Sequence, residues 1–252
     1  MSLSSHGFPR PARPQLHDVG EPERAPDRRR GANALLAASA AAFAVLAVIA
    51  ANWERLLLTI DEPVQRAAIR ARSDWLNEVI SWVSLLGTRY VIGALLLAVA
   101  AWALLTRRCQ VALVVLIVAF ALNPLVEYIL KEIVGRARPE LLPLGRGRGP
   151  SFPSGHVMAS VGFYAMLPAV VVGRTKARRL FTLVVSCAVI LAISFARVYV
   201  GVHWFTDVIG GLLIGAVMAL ATYAGLRGHR LDSTWCPGPT GPASPPASIR
   251  SR

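Results

Sequence analysis

The segment RVYVGVHWFTD, residues 197–207, stands between the apolar runs 180–196 and 205–226, and a second polar segment, KEIVGRARPELLPLGRGRGPSFPSGH at 131–156, stands between the runs 111–130 and 156–173. A helix needs about 20 predominantly apolar residues to cross a bilayer, with a range of roughly 17 to 25, and these runs are of that order. Two of them, 156–173 and 180–196, separate the polar segments, so the chain that leaves one side of a membrane through the first returns to it through the second. Both polar segments are therefore expected on the same side. Together they bring Lys131, Arg138, Ser154, His156, Arg197, His203 and Asp207 toward one patch, with three fixed cations, two imidazoles and a single carboxylate. Such a patch holds an anion and moves protons, which points to a phosphate site at a membrane surface.

Composition agrees with a membrane protein. The 252 residues are 54% hydrophobic and 16% charged, with a mean hydropathy of +0.50, which is too apolar for an ordinary soluble domain. Two further runs, near 32–52 and 89–105, bring the expected crossings to six, giving an all-α, integral-membrane six-helix bundle over residues 32–228. Residues 1–31, with six arginines and four carboxylates in the first 30, read as a disordered basic tail, and the Pro-rich segment 229–252 as a second one. No cleavable leader is expected, because the apolar run begins too far from Met1. The net charge of +13 lies largely in tails and short loops, the usual place of cytoplasmic-side arginines, so no nucleic-acid partner is expected. Cys109, Cys187 and Cys236 form no CxxC pair and imply neither a disulfide framework nor a zinc knuckle.

Loop charge sets the orientation. Arg28 to Arg30 precede the first run, Arg107 and Arg108 join the second and third, and Arg174, Lys176, Arg178 and Arg179 join the fourth and fifth. Six crossings place all three sets in the cytoplasm with both termini, and the polar segments at the outer face of the cell membrane. The basic 131–148 loop breaks this rule, and anion binding is the reason its charge suggests. Between the first two runs, Trp75, Val79, Trp82, Val83 and Leu86 recur at helical spacing, as in an amphipathic helix lying in the interface or one packed on the bundle.

Each chemical residue has an ordinary reading beside the functional one. Lys131 lies four residues after Glu127, the spacing of a surface ion pair, and Arg136, Arg146 and Arg148 suit headgroup contacts. If the third helix continues past Lys131, Arg138 shares its face two turns on, until Pro139 ends it. Ser154 is a favoured N-cap, and the helix that starts at Gly155 offers unpaired N–H groups to an anion that glycine lets approach the backbone. His203 and Asp207, four apart, share a face if that region is helical, with the carboxylate on one ring nitrogen and a free lone pair on the other. His156 and His203 are the only histidines of the membrane domain, and both fall in the polar segments. Two histidines and Asp207 match a catalytic zinc count, but Lys131, Arg138 and Arg197 would repel the ion, so no metal and no cofactor are expected.

Lys131-x6-Arg138-Pro139, Pro153-Ser154-Gly155-His156 and Arg197-x5-His203-x3-Asp207 resemble, in order, the three signature motifs of the type 2 phosphatidic acid phosphatase (PAP2) superfamily, over roughly residues 60–215. One departure is Ala196, where the family's third motif usually has serine before the arginine. The resemblance implies a PAP2/haloperoxidase-like helical core and a metal-independent phosphatase with a phosphohistidine intermediate. It implies His203 as nucleophile, Asp207 as its orienting carboxylate, and His156 as acid and then base. Lys131, Arg138, Ser154, Arg197 and the Gly155 N–H would bind the phosphoryl oxygens. A membrane lipid phosphate or polyprenyl diphosphate, such as phosphatidic acid or undecaprenyl diphosphate, is the substrate class this implies. The rival readings are an anion-binding membrane protein without turnover, such as a transporter component, and a vanadate-dependent haloperoxidase.

Overall fold

The computed structural model describes residues 25–105, 110–145, 147–170 and 176–228, and among them every regular element is helical. In chain order these are α1 (Ala25–Asn52), α2 (Glu54–Arg70), α3 (Asp74–Leu86), α4 (Arg89–Leu105), α5 (Gln110–Val134), α6 (Gly155–Tyr164), α7 (Leu167–Val170), α8 (Lys176–Val200) and α9 (Phe205–Gly228). Helix α1 includes Arg28 to Gly31, which composition assigned to the tail. Proline is tolerated in a first helical turn and arginine is a good helix former, so the helix runs out beyond the apolar stretch. Residues 1–24 of the expected N-terminal tail, the expected tail 229–252, the Arg107–Arg108 loop, Arg146 and the Arg174 segment lie outside the described residues.

Three helical segments, Arg30–Asn52, Lys176–Val200 and Phe205–Gly225, are each long and apolar enough to cross a membrane. Asp74–Leu86 and Arg89–Trp102, bent by 51°, pass the same test together and make a fourth as one broken span. Length and composition of the described residues thus give three or four crossings where six were expected. The expected fourth span, 156–173, is interrupted: α6 ends at Tyr164 and the chain turns before α7. In α3, Trp75 and Trp82 are each 67% exposed while Ile80 is buried against Ala196 and Tyr199 of α8. The tryptophan face therefore points away from the bundle, as an interfacial helix requires.

Helix α6 is the centre of the fold, with Val157, Met158, Val161, Phe163 and Tyr164 all buried. It lies closest to α9, then α8, and α9 also carries α1. The small-xxx-small pair Gly211 and Gly215 makes that approach possible: a Cβ on Gly211 would stand 2.7 Å from the Ser154 carbonyl oxygen, and one on Gly215 2.7 Å from Val161 Cβ. In α8, Leu180, Phe181, Val184 and Leu191 face outward, while Ser186, Ser194 and Arg197 are buried beside Ile190, Ile193 and Tyr199. Outward apolar side chains suit lipid, so packing between helices rather than escape from water holds this bundle together.

Candidate active site

The polar segment after α5 is shaped by Gly135. Its φ of +65° ends the helix, with its N–H bonded to the Lys131 carbonyl at 2.9 Å. Arg138 therefore does not continue the α5 face, as the seven-residue spacing suggested, but stands in an extended loop. Its guanidinium donates to the carbonyls of Gly149 at 2.9 Å, Val202 at 2.6 Å, Arg148 at 3.1 Å and Pro150 at 3.2 Å. Those bonds tie the 131–156 loop to the His203 loop. They also hold Arg138 Nη1 3.3 Å from His203 Nε2.

Beside it, Arg136 turns the opposite way and is 2% exposed. It donates to Asp61 Oδ2 at 2.6 Å, Asp207 Oδ1 at 2.7 Å and Thr206 Oγ1 at 2.7 Å. The headgroup contact expected of Arg136 is thereby replaced by a buried arginine between two buried carboxylates. Asp61 also accepts from the Thr206 backbone N–H at 2.8 Å, so a carboxylate of α2 satisfies a free donor of the first turn of α9. The one visible cue in the sequence is that Leu57, Asp61, Gln65 and Ala68 share the buried face of α2 at helical spacing, which puts a carboxylate where an apolar residue belongs.

Asp207 occupies the first turn of α9, and its Oδ2 accepts from the Trp204 backbone N–H at 2.9 Å. His203 precedes the helix, so the pair does not share a helical face as the four-residue spacing implied. The loop nevertheless folds the imidazole back until Nδ1 is 3.6 Å from Asp207 Oδ2. With Nε2 facing the Arg138 donor, the ring proton belongs on Nδ1, toward the carboxylate. Burial holds the imidazole below its ordinary range, Asp207 works against that shift, and Arg138 and Lys131 add to it. The neutral, lone-pair-bearing ring is the form this environment favours.

A cavity of about 720 Å³ opens between α3, α5, α6 and the end of α8, lined by Lys131, Arg138, Gly155, His156, Arg197 and His203 together with Glu127 and Arg148. The structure thus joins six of the eight expected site residues around one space. Asp207 lies behind His203 and fully buried. Ser154 does not reach the cavity either: it is the N-cap residue of α6, it makes no side-chain cap bond, and its buried hydroxyl has no partner. Arg197 is held by the Ser84 hydroxyl of α3. Ala196 is fully buried against Ile80 and Tyr199, so the missing serine hydroxyl gives way to helix packing while α3 supplies a hydroxyl to the arginine. Among the described residues, no three His, Cys, Asp or Glu side chains are grouped as metal ligands.

Residues 112–230 match the family described as the PAP2 superfamily. The chain is 31% identical over 180 residues to phosphatidylglycerophosphatase B of Bacillus subtilis, covering 70% of this chain and 87% of that protein. It is 32% identical over 148 residues to undecaprenyl-diphosphatase of Sulfolobus acidocaldarius, covering 56% and 66%. Its fold is similar to the crystal structure of the transmembrane PAP2-type phosphatidylglycerolphosphate phosphatase from Bacillus subtilis, with a TM-score of 0.72 at 25% identity over 78% of this chain and 98% of that one. The fold of Aquifex aeolicus LpxE is also related, with a TM-score of 0.53 at 22% identity over 66% and 95%. With a relative aligned over most of its length and the three motifs folded around one cavity, the chain belongs to the PAP2 superfamily and is a phosphatase.

Proposed function

We propose that this phosphatase is an integral-membrane, metal-independent hydrolase of a lipid phosphate or polyprenyl diphosphate, acting through a phosphohistidine at the outer face of the membrane. The observation that carries the reading is His203, which lines the cavity with Nε2 3.3 Å from the Arg138 guanidinium and Nδ1 3.6 Å from Asp207. In this mechanism the Nε2 lone pair forms a bond to phosphorus as the bond to the leaving oxygen breaks in line. His156 donates its proton to that oxygen, and Asp207 stabilises the positive ring. His156 then takes a proton from water, whose oxygen attacks phosphorus, breaks the P–N bond and releases phosphate. Lys131, Arg138, Arg197 and the Gly155 N–H stabilise the equatorial oxygens, which is where most of the catalysis of phosphoryl transfer resides. Ser154 joins them if its unpartnered hydroxyl turns toward the cavity. Proton transfer by a positioned histidine contributes about 10² to 10⁴ in rate.

The same reading takes α1, α4, α5, α6 with α7, α8 and α9 as six crossings, with both termini in the cytoplasm. The lipid class is supported by outward apolar side chains and by relatives named for phosphatidylglycerophosphate and undecaprenyl diphosphate. The test is phosphate release from a panel of lipid phosphates in detergent without added metal, with trapping of an alkali-stable, acid-labile phosphoenzyme. Wild-type turnover that His203→Ala abolishes is expected. Undiminished turnover by His203→Ala would discard the mechanism.

A further inference from the structure

The cation-lined cavity already contains an anion, supplied by the chain itself. Glu127 projects from α5 one turn before Lys131, and its Oε1 pairs with Lys131 Nζ at 2.7 Å. Its carboxylate lies on the first residue of α6: a Cβ built on Gly155 would fall 2.0 Å from Oε1 and 2.3 Å from Oε2. The Glu127 side chain is 27% exposed, so it is neither locked in the core nor a solvated surface residue. Three features therefore coincide. The space beside Gly155, the start of α6 and the Lys131 ammonium are the features assigned above to phosphate, and the Glu127 carboxylate lies against all three.

We propose that Glu127 is an affinity-setting residue of the phosphate site, its carboxylate standing in for the phosphoryl group until substrate displaces it and returning when product leaves. This rests on the phosphate reading of the cavity. The chemistry follows from charge. A carboxylate and a phosphoryl group cannot share one ammonium and one backbone face without mutual repulsion, so phosphate enters only as Glu127 swings aside about its flexible side chain. The free enzyme thereby avoids exposing an uncompensated Lys131 and helix N-terminus, and inorganic phosphate is held more weakly than the cations alone would hold it. Removal of the carboxylate converts that competition into free binding capacity.

The experiment is equilibrium binding of radiolabelled inorganic phosphate to the purified full chain in detergent, for wild type, Glu127→Gln and Glu127→Ala, with Glu62→Gln as a control that removes a charge paired to Arg66 on α2. Loss of one charge-assisted contact in competition with phosphate corresponds to roughly tenfold tighter binding. Both Glu127 variants are expected to show it, and Glu62→Gln is expected to match wild type. Phosphate inhibition of turnover strengthens in parallel, and kcat falls as release slows. Equal or weaker phosphate binding in the two Glu127 variants overturns the proposal and makes Glu127 a support for Lys131 instead. Wild-type lipid-phosphate turnover, measured on the same preparations, separates the two claims: turnover without tightening sinks only the role of Glu127, and tightening without turnover sinks only the lipid-phosphatase reading.

Discussion

Replacement of Arg136 by alanine tests whether His203, the proposed nucleophile, depends on a charge network that never touches substrate. The guanidinium is 2% exposed and donates at 2.6 Å to Asp61 and 2.7 Å to Asp207, both of which are fully buried. Truncation leaves two carboxylates with no counter-charge. Breaking a buried pair in this way costs about 3–5 kcal/mol, and proton uptake by the carboxylates keeps the total near that range instead of doubling it. For a chain of this size that corresponds to a fall in Tm of about 6–20 °C. Activity falls as well, because Arg136 holds the Oδ1 edge of the carboxylate whose Oδ2 edge faces His203, and a misplacement of about 1 Å at a reacting group costs up to about 10²-fold. Thermal unfolding in detergent and kcat from phosphate release read the two effects separately. Arg136→Lys is expected to lose less than Arg136→Ala, since a point charge still faces the carboxylates without the guanidinium fork. Adding Asp61→Asn to Arg136→Met is expected to recover part of the lost Tm, because one orphaned charge is gone while the amide oxygen still accepts from Thr206. A Tm within about 2 °C of wild type together with unchanged kcat in Arg136→Ala would refute the reasoning.

Two further outcomes follow from the same geometry. Gly155→Ala places a methyl group where the Glu127 carboxylate lies, and that carboxylate is the mobile end of a flexible side chain, so the melting temperature is expected to stay near wild type while KM for lipid phosphate rises several-fold; a large Tm loss with unchanged KM would show that the space is structural. The acid limb of kcat/KM is expected below the ordinary histidine value of about 6.5, because burial keeps His203 neutral as pH falls through that range. By linkage, the stability contributed by this neutral ring is present above the unfolded-state pKa and is lost as pH falls through the lower folded-state pKa. A histidine titration midpoint at or above pH ~7, read by NMR in the wild type and absent from His203→Ala, would contradict the burial argument.

Much of this protein was legible from local pattern alone. Hydropathy identified α4, α5, α8 and α9 within a few residues at each end, and α1 at its C-terminal end only, because a helix that meets lipid must be apolar over a length set by the bilayer. Motif spacing picked out Lys131, Arg138, His156, Arg197 and His203, whose side chains reach one cavity through loops and helix ends. Hydropathy alone passed over the break between α6 and α7, because apolar residues continue on both sides, although Pro168 marks it: proline has no N–H for the Tyr164 carbonyl, and α6 ends at Tyr164. The end of α5 was not legible: there a single glycine with positive φ redirects Arg136 and Arg138 to opposite sides.

What the amino-acid order determined by itself was chemical identity: an apolar helical chain with cations and two imidazoles at its polar turns. What only the tertiary structure decided was partnership. Asp61 lies 75 residues from Arg136 and 145 from Thr206, and Ser84 lies 113 from Arg197, so no local period relates them. Such contacts arise when whole helices pack, because a buried charge finds its partner among whatever the fold brings within hydrogen-bond reach. Glu127 shows the difference most plainly. Its four-residue spacing to Lys131 announced an ordinary ion pair, and only the docking of α6 against α5 placed that carboxylate on Gly155 in the cation-lined cavity.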